Sequence, residues 1–158
     1  TFLSVSATTR SPRTGEVNDK DYHFMTVDDF NSAVEAGRFL EYANVHGNYY
    51  GTLRDKVEEK LSEGKNVILE IDVQGGEQVK SKFKDAVLIF VAAPSAEELE
   101  KRLRGRSTDS EDVIKRRLAN SLHEMTFQDK YDYVVINNTL DQALVDIEEI
   151  IFKEGNNK

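Results

Sequence analysis

Apolar and polar residues follow two different rhythms along this chain, and the change falls near residue 64. Residues 3–6 alternate as L-S-V-S, the period of a short strand with one covered face. Tyr22, His23 and Phe24 read as a second short strand. Thr26 then caps a helix whose first turn carries Asp28 and Asp29, where carboxylates meet the positive end of the helix dipole; Phe30 and Val34 share a face, and Gly37 ends it. Residues 39–43 and 48–50 read as strands joined by a turn at His46 and Gly47, so 10–51 forms a small mixed unit. Thr52 is expected to open the next helix, with Leu53, Val57 and Leu61 on its buried face and Gly64 as its stop.

Beyond that point alternation gives way to apolar runs. Residues 67–73 are interrupted by Glu70 and Asp72, residues 86–93 are wholly apolar, and 133–136 form a third run. Runs of this kind suit strands covered on both faces, as in parallel sheets. Helices are expected between them over 76–83, from the capping box Ser95/Glu98 to 103, over 109–125, and from Thr139/Gln142 onward with Leu144, Ile147 and Ile151 inward. Such alternation implies right-handed crossovers and a parallel sheet that binds ligands at the carboxyl ends of its strands. Glu70 and Asp72, two apart, are expected on one side of their strand at that end. Residues 155–158 read as a disordered tail, and no internal repeat is present.

Length and composition narrow the classes. A chain of 158 residues with 39% hydrophobic content suits one domain with a real core. No run approaches the ~18 apolar residues of a membrane span, so the chain reads as a soluble, cytoplasmic protein. The absence of cysteine excludes disulfides and thiolate metal sites. A formal charge of −8 argues against nucleic-acid partners. The arginines nevertheless cluster, Arg10 with Arg13 around Pro12, and Arg102, Arg104, Arg106, Arg116 and Arg117 together. Guanidinium forks match phosphate oxygens, so two focused clusters on an acidic protein suit a small polyanion; two solvated basic faces are the alternative.

Four stretches then ask for one explanation: S-A-T-T-R-S-P-R-T-G-E from Ser6, Tyr22, F-L-E-Y-A-N-V-H-G-N-Y-Y-G-T over 39–52, and I-L-E-I-D-V-Q-G over 68–75. In this order and spacing they closely resemble the guanylate kinase family of nucleoside-monophosphate kinases, over residues 1–154. The resemblance implies an α/β fold: a parallel-sheet P-loop kinase core with helices on both faces, a mixed α/β GMP-binding subdomain at 10–51, and a small lid at 102–117. It implies transfer of the terminal phosphoryl group of ATP, with Mg2+, to GMP, and small-molecule partners with no nucleic acid or membrane. On this chain Arg10, Arg13, Tyr22 and Tyr50 would hold the GMP phosphate, while Glu41, Ser6 and Thr52 would read the guanine. Many relatives carry serine where Thr52 stands, which keeps the hydroxyl. Glu70 and Asp72 would join the GMP site or hold magnesium through water, with no direct metal ligand; structural ion pairs to arginines stay open for them. Relatives commonly carry aspartate in place of Glu70. Arg102, Arg106 and Arg117 would clamp the ATP phosphates on lid closure, with Arg104 and Arg116 left as solvated side chains. Asn137, with Asn138, falls where relatives meet the adenine.

The chemistry of the pair Glu41 and guanine stands without the analogy. Guanine presents an N1 hydrogen and an N2 amine side by side, and one ionised carboxylate accepts from both. Adenine would leave that carboxylate unpaired, a mismatch that rejects a ligand by roughly 10⁴-fold. Scaffold proteins of the membrane-associated guanylate kinase type are the rival: they share the fold and bind partner proteins, often phosphorylated, but tend to carry proline at the Ser6 position and lack the lid arginines. A kinase for another phosphorylated metabolite conflicts with Glu41 and Thr52. The family's G-x-x-x-x-G-K-[ST] loop is not found in these residues, and Gly75 and Gly76 lack the lysine and hydroxyl that would follow. The expectation is therefore a chain beginning partway into a longer protein, short of a strand-loop-helix unit of ~30 residues and inactive alone, with exposed strand edges.

Overall fold

The structure, a computed structural model, describes residues 1–105 and 109–157. Its first compact unit, Thr1–Lys84, opens on β1 (Phe2–Leu3), which later pairs in parallel with β6 (Val67–Ile68). Between them lies a four-stranded sheet of β2 (Ala7–Thr8), β3 (His23–Phe24), β4 (Phe39–Val45) and β5 (Asn48–Leu53) in the order β3-β2-β5-β4. Only the β2–β3 pairing in this sheet is parallel. Helix α1 (Val27–Glu35) starts where its cap predicts, with Thr26 Oγ1 accepting from the Asp29 amide at 3.1 Å. It packs Phe30 onto the sheet, stacked on Phe39 at 4.4 Å and Tyr49 at 5.4 Å, in a core completed by Ala7 and Ala33.

One irregularity decides what the other sheet face carries. Phe39 pairs with Leu53 and Glu41 with Thr52, so β4 spends two residues where β5 spends one, a bulge at Leu40. Strict alternation would put Phe39 and Glu41 on the same face. After the bulge it is Tyr42 that rejoins Phe39 beside Phe30, with ring centroids 6.2 and 6.4 Å away. Glu41 is turned to the opposite face with Thr52.

Helix α2 spans Arg54–Ser62, later than the expected start at Thr52, because Thr52 and Leu53 are claimed by ladder pairing with β4. Val57 is buried as expected, but Leu61 is exposed and Leu53 belongs to the sheet. The expected strand over 67–73 shortens to β6, and helix α3 (Val73–Lys82) begins three residues early. Asp72 is the reason: its Oδ1 accepts from the Gly75 amide at 3.0 Å, making it a helix cap, a role aspartate fills far better than a strand position. Helix α3 covers the free edge of β4. The Gln78 amide donates to the Tyr42 carbonyl (2.8 Å) and accepts from the Tyr42 amide (3.2 Å), continuing the ladder with a side chain.

The second unit, Asp85–Lys158, holds the parallel pair β7 (Ile89–Ala92) and β8 (Tyr133–Ile136), with helices α4 (Ala96–Gly105), α5 (Glu111–Met125) and α6 (Leu140–Asn156). Among the described residues the parallel pairings are thus β1–β6 and β2–β3 in the first unit and β7–β8 in the second. Phe90, Ala92 and Val135 are buried while Val91, Val134 and Ile136 are exposed, so the apolar runs are covered on one face and not on two. Caps at Ser95, Ser110 and Thr139 start the helices. On α6 the inward stripe runs through buried Ala143 and half-buried Ile147 and Ile151, and Leu144 lies outside it. The expected tail from 155 is instead helical through Asn156, anchored where the Tyr133 hydroxyl donates to Glu154 at 2.5 Å. No helix among the described residues is long and apolar enough to cross a membrane.

Candidate functional site

The face of the four-stranded sheet opposite Phe30 gathers polar groups of two kinds. At one place Glu41, only 3% exposed, faces Thr52 across the ladder, and the fully buried Thr52 Oγ1 donates to Glu41 Oε1 at 2.6 Å. Burial drives the Glu41 pKa above its ordinary value; the Thr52 hydrogen bond opposes that, Asp72 reinforces it and Lys82 opposes it again. Lys82 itself is fastened to the Leu40 carbonyl, the bulged residue. A buried carboxylate whose ionisation is discouraged yet partly supported is the arrangement expected of one waiting for donors from a ligand.

Two residues along β5, on the same face and roughly 7 Å away by strand rise, stands Tyr50. Its ring lies 6.1 Å from Tyr22, and the Arg10 guanidinium lies 5.2 Å from the Tyr22 ring centroid. Arg10 donates from Nη1 to the Ser11 carbonyl (2.9 Å) and through Nη1 and Nη2 to both oxygens of Glu16 (2.9 and 3.0 Å). Three of its five N–H groups are held by protein in this way, and the others are left for Tyr50 or a ligand. The Arg10 bond, then the Arg13 amide, hold the Glu16 carboxyl down to about 2, and Glu16 in turn raises the Arg10 pKa further. Arg13 is joined to this cluster by its backbone, whose amide donates to Glu16 at 2.7 Å, while its side chain is exposed. Ser6 sits half-buried just before β2, its carbonyl accepting from the His23 amide.

Other expected residues are not drawn in. Glu70 is exposed coil, and the expectation that it shares a strand face with Asp72 fails because neither residue lies on a strand. Asp72 is committed to capping α3, with its Oδ2 accepting from Gln74 at 3.2 Å. No ion pair joins either carboxylate to an arginine among the described residues, and no group of three or more His, Asp or Glu there could hold a metal. In the second unit Arg102 bonds Glu98 (3.1 Å) and the carbonyls of Asn137 (2.8 Å) and Asn138 (3.2 Å), tying α4 to the loop after β8. Arg117 pairs with Asp109 at 3.1 Å. Arg104, read from sequence as a solvated side chain, is exposed and bridges Glu100 and Glu111 at the surface. Arg106 lies outside the described residues.

Comparison with known proteins then bears on the arrangement. Residues 1–154 match the family model described as guanylate kinase. The chain is 58% identical over 149 residues to a guanylate kinase of Fusobacterium nucleatum, covering 94% of this chain and 80% of that protein. It is 48% identical over 153 residues to a guanylate kinase of Clostridium acetobutylicum, covering 97% and 73%. The chain belongs to the guanylate kinase family. The crystal structure of guanylate kinase from Anaplasma phagocytophilum matches with a TM-score of 0.85 at 32% identity, covering 98% of this chain and 76% of that one. The α/β kinase fold expected from sequence holds at this level of likeness.

Within a guanylate kinase fold, the structure adds residues that sequence reasoning passed over. Glu16 organises Arg10 and the Arg13 amide together, and its signal was available: a carboxylate three residues past Arg13 with Gly15 in the left-handed region at φ 87° between them. Gln78 and Lys82 brace the β4 edge from α3, a role visible only once the helix is laid against the strand.

Proposed function

We propose that this chain carries the GMP site and lid of a guanylate kinase, which transfers the terminal phosphoryl group of ATP to GMP. The subdomain at 10–51 grips the acceptor nucleotide, and the lid is the region 102–117. The observation that carries the reading is the shared sheet face: a buried carboxylate with its threonine at one place, and Tyr50 roughly 7 Å along the threonine's strand, with the Tyr22 ring against it and the Arg10 guanidinium over Tyr22. A purine nucleotide has that same polarity, with base donors at one end and a dianion at the other.

In this reading Glu41 accepts from guanine N1–H and N2–H, and Thr52 keeps one carboxylate oxygen oriented. Arg10, Tyr22, Tyr50 and Arg13 hold the phosphate, and Ser6 completes the base contact. Catalysis of phosphoryl transfer is mostly alignment and charge placement, so gripping the acceptor at both ends is itself part of the rate. Arg102, Arg106 and Arg117 supply positive charge on lid closure, with Asn137 near the adenine; closing requires Arg102 to exchange its carbonyl partners for phosphate oxygens. Magnesium bound with ATP would supply charge neutralisation at the phosphates, and exposed Glu70 and the capping Asp72 would reach it only through water. Turnover also needs a loop that cradles ATP phosphates, for which these 158 residues hold no G-x-x-x-x-G-K-[ST] match, so binding is the informative readout.

Calorimetric titration of the chain with GMP, AMP, CMP and UMP tests the reading. GMP is expected to bind at least ~100-fold more tightly than AMP, on the scale of rejecting a ligand that leaves a buried acceptor unpaired. Equal affinities, or no binding of GMP, refute it.

A further inference from the structure

We propose that Gly75 is a specificity-determining position, its missing side chain creating the space in which the Glu41 carboxylate is held for the base. A Cβ built at Gly75 would stand 2.5 Å from Glu41 Oε2 and 3.2 Å from its Cδ, with Ile71 Cβ at 3.2 Å on another side. Contacts under 3 Å force something to move, and the carboxylate has little room to yield. It is 3% exposed, its other oxygen is tied to Thr52 at 2.6 Å, and its neighbour Leu40 is equally buried.

Nothing in the backbone asks for glycine here. Gly15, Gly37, Gly47 and Gly64 occupy the left-handed region, and Gly75 does not. It lies in the first turn of α3, its amide bonded to Asp72, where alanine would ordinarily stabilise the helix. Glycine at such a site costs stability, and the close approach of Glu41 is the feature that accounts for it. Any side chain at 75 would swing the carboxylate off Thr52 or out of line with the paired guanine donors. Loss of the N2 partner in particular would follow, because both acceptor oxygens must face the base edge together. This specificity role rests on the GMP reading above; the steric contact does not.

A double-mutant cycle on the chain, followed by thermal unfolding without ligand, tests the contact. Gly75→Ala is expected to lower Tm clearly more when Glu41 is present than in a Glu41→Ala background, where helix propensity and the 3.2 Å approach to Ile71 remain. The same Tm change in both backgrounds overturns the proposal. Should Gly75→Ala fail to fold, a folded Gly75→Ala/Glu41→Ala chain supports it and an unfolded one overturns it. Titration then tests specificity: Gly75→Ala is expected to weaken GMP at least tenfold and to narrow the preference for GMP over IMP, which lacks the N2 amine. Unchanged affinity and preference in Gly75→Ala overturn the specificity role while the functional reading stands. A wild-type chain that binds no GMP overturns the functional reading and the specificity role together, whatever the unfolding cycle returns.

Discussion

Replacing Glu41 with glutamine removes one charge and almost no volume, so its effects on binding and on folding separate cleanly. The side chain is buried and its Oε1 already accepts from Thr52, a bond that the glutamine carbonyl can retain. The other end becomes an NH2 group facing guanine's own donors. Hydrogen bonds to charged groups contribute about 1.5–3 kcal/mol each, so losing the ionised acceptor is expected to cost about 3 kcal/mol of GMP binding. That corresponds to roughly 150-fold in Kd. AMP, which offers no matching donors, is expected to change far less, so the GMP preference collapses. Stability moves the other way. Burial raises the Glu41 pKa above 4.5, so the folded chain keeps this proton to higher pH than the unfolded chain does. Wild-type stability is therefore expected to fall as pH rises from about 4.5 through the folded pKa, and then to level off. Glutamine, permanently neutral, escapes that loss, so the variant is expected to gain Tm relative to wild type at pH 7 and to lose the advantage at pH 4. Titration calorimetry and thermal unfolding at the two pH values read both arms. A preserved GMP-to-AMP ratio removes Glu41 from base reading, and a variant equally destabilised at both pH values refutes the claim that ionised Glu41 is held at a cost.

Arg10→Ala is expected to weaken GMP binding by about 2 kcal/mol, roughly 30-fold, the scale of losing charge-assisted bonds to phosphate; unchanged Kd would take Arg10 out of the site. Phe30→Ala removes a fully buried ring stacked on Phe39 and Tyr49, and is expected to cost about 3–5 kcal/mol in denaturant unfolding; a loss under ~1 kcal/mol would mean the sheet does not depend on that core. Guanine donors favour the ionised carboxylate, so at pH values where free Glu41 still holds its proton, GMP binding is expected to release it. Titrations in buffers of different ionisation enthalpy measure that release, and an enthalpy independent of buffer down to pH 4.5 would refute the coupling.

The features legible in one dimension are those whose cause is local. Thr26, Ser95 and Thr139 announce helices because an N-cap acts on amides two or three residues away, and each cap is found in place. The order and spacing of the arginine segment, G-N-Y-Y-G-T and I-D-V-Q-G were enough for the family, which the match over residues 1–154 shows. Misreadings arise where a distant partner outbids local preference. Thr52 looks like a helix start until Glu41 claims it for the ladder, and 69–72 look like strand until Asp72 takes the first amides of α3.

The placing of Glu41 on the sheet face opposite Phe30 is decided in three dimensions. By alternation it shares a side with Phe39 and would enter the aromatic core; a single extra residue at Leu40 rotates it away, and a bulge has no residue signature short enough to read. The space left by Gly75 is likewise invisible until α3 is laid against β4, 34 positions earlier in the chain at Glu41. Residue identity names the chemistry available to this chain. Which side of the sheet receives that chemistry depends on register, and register is settled by the sum of contacts across strands that no local stretch contains.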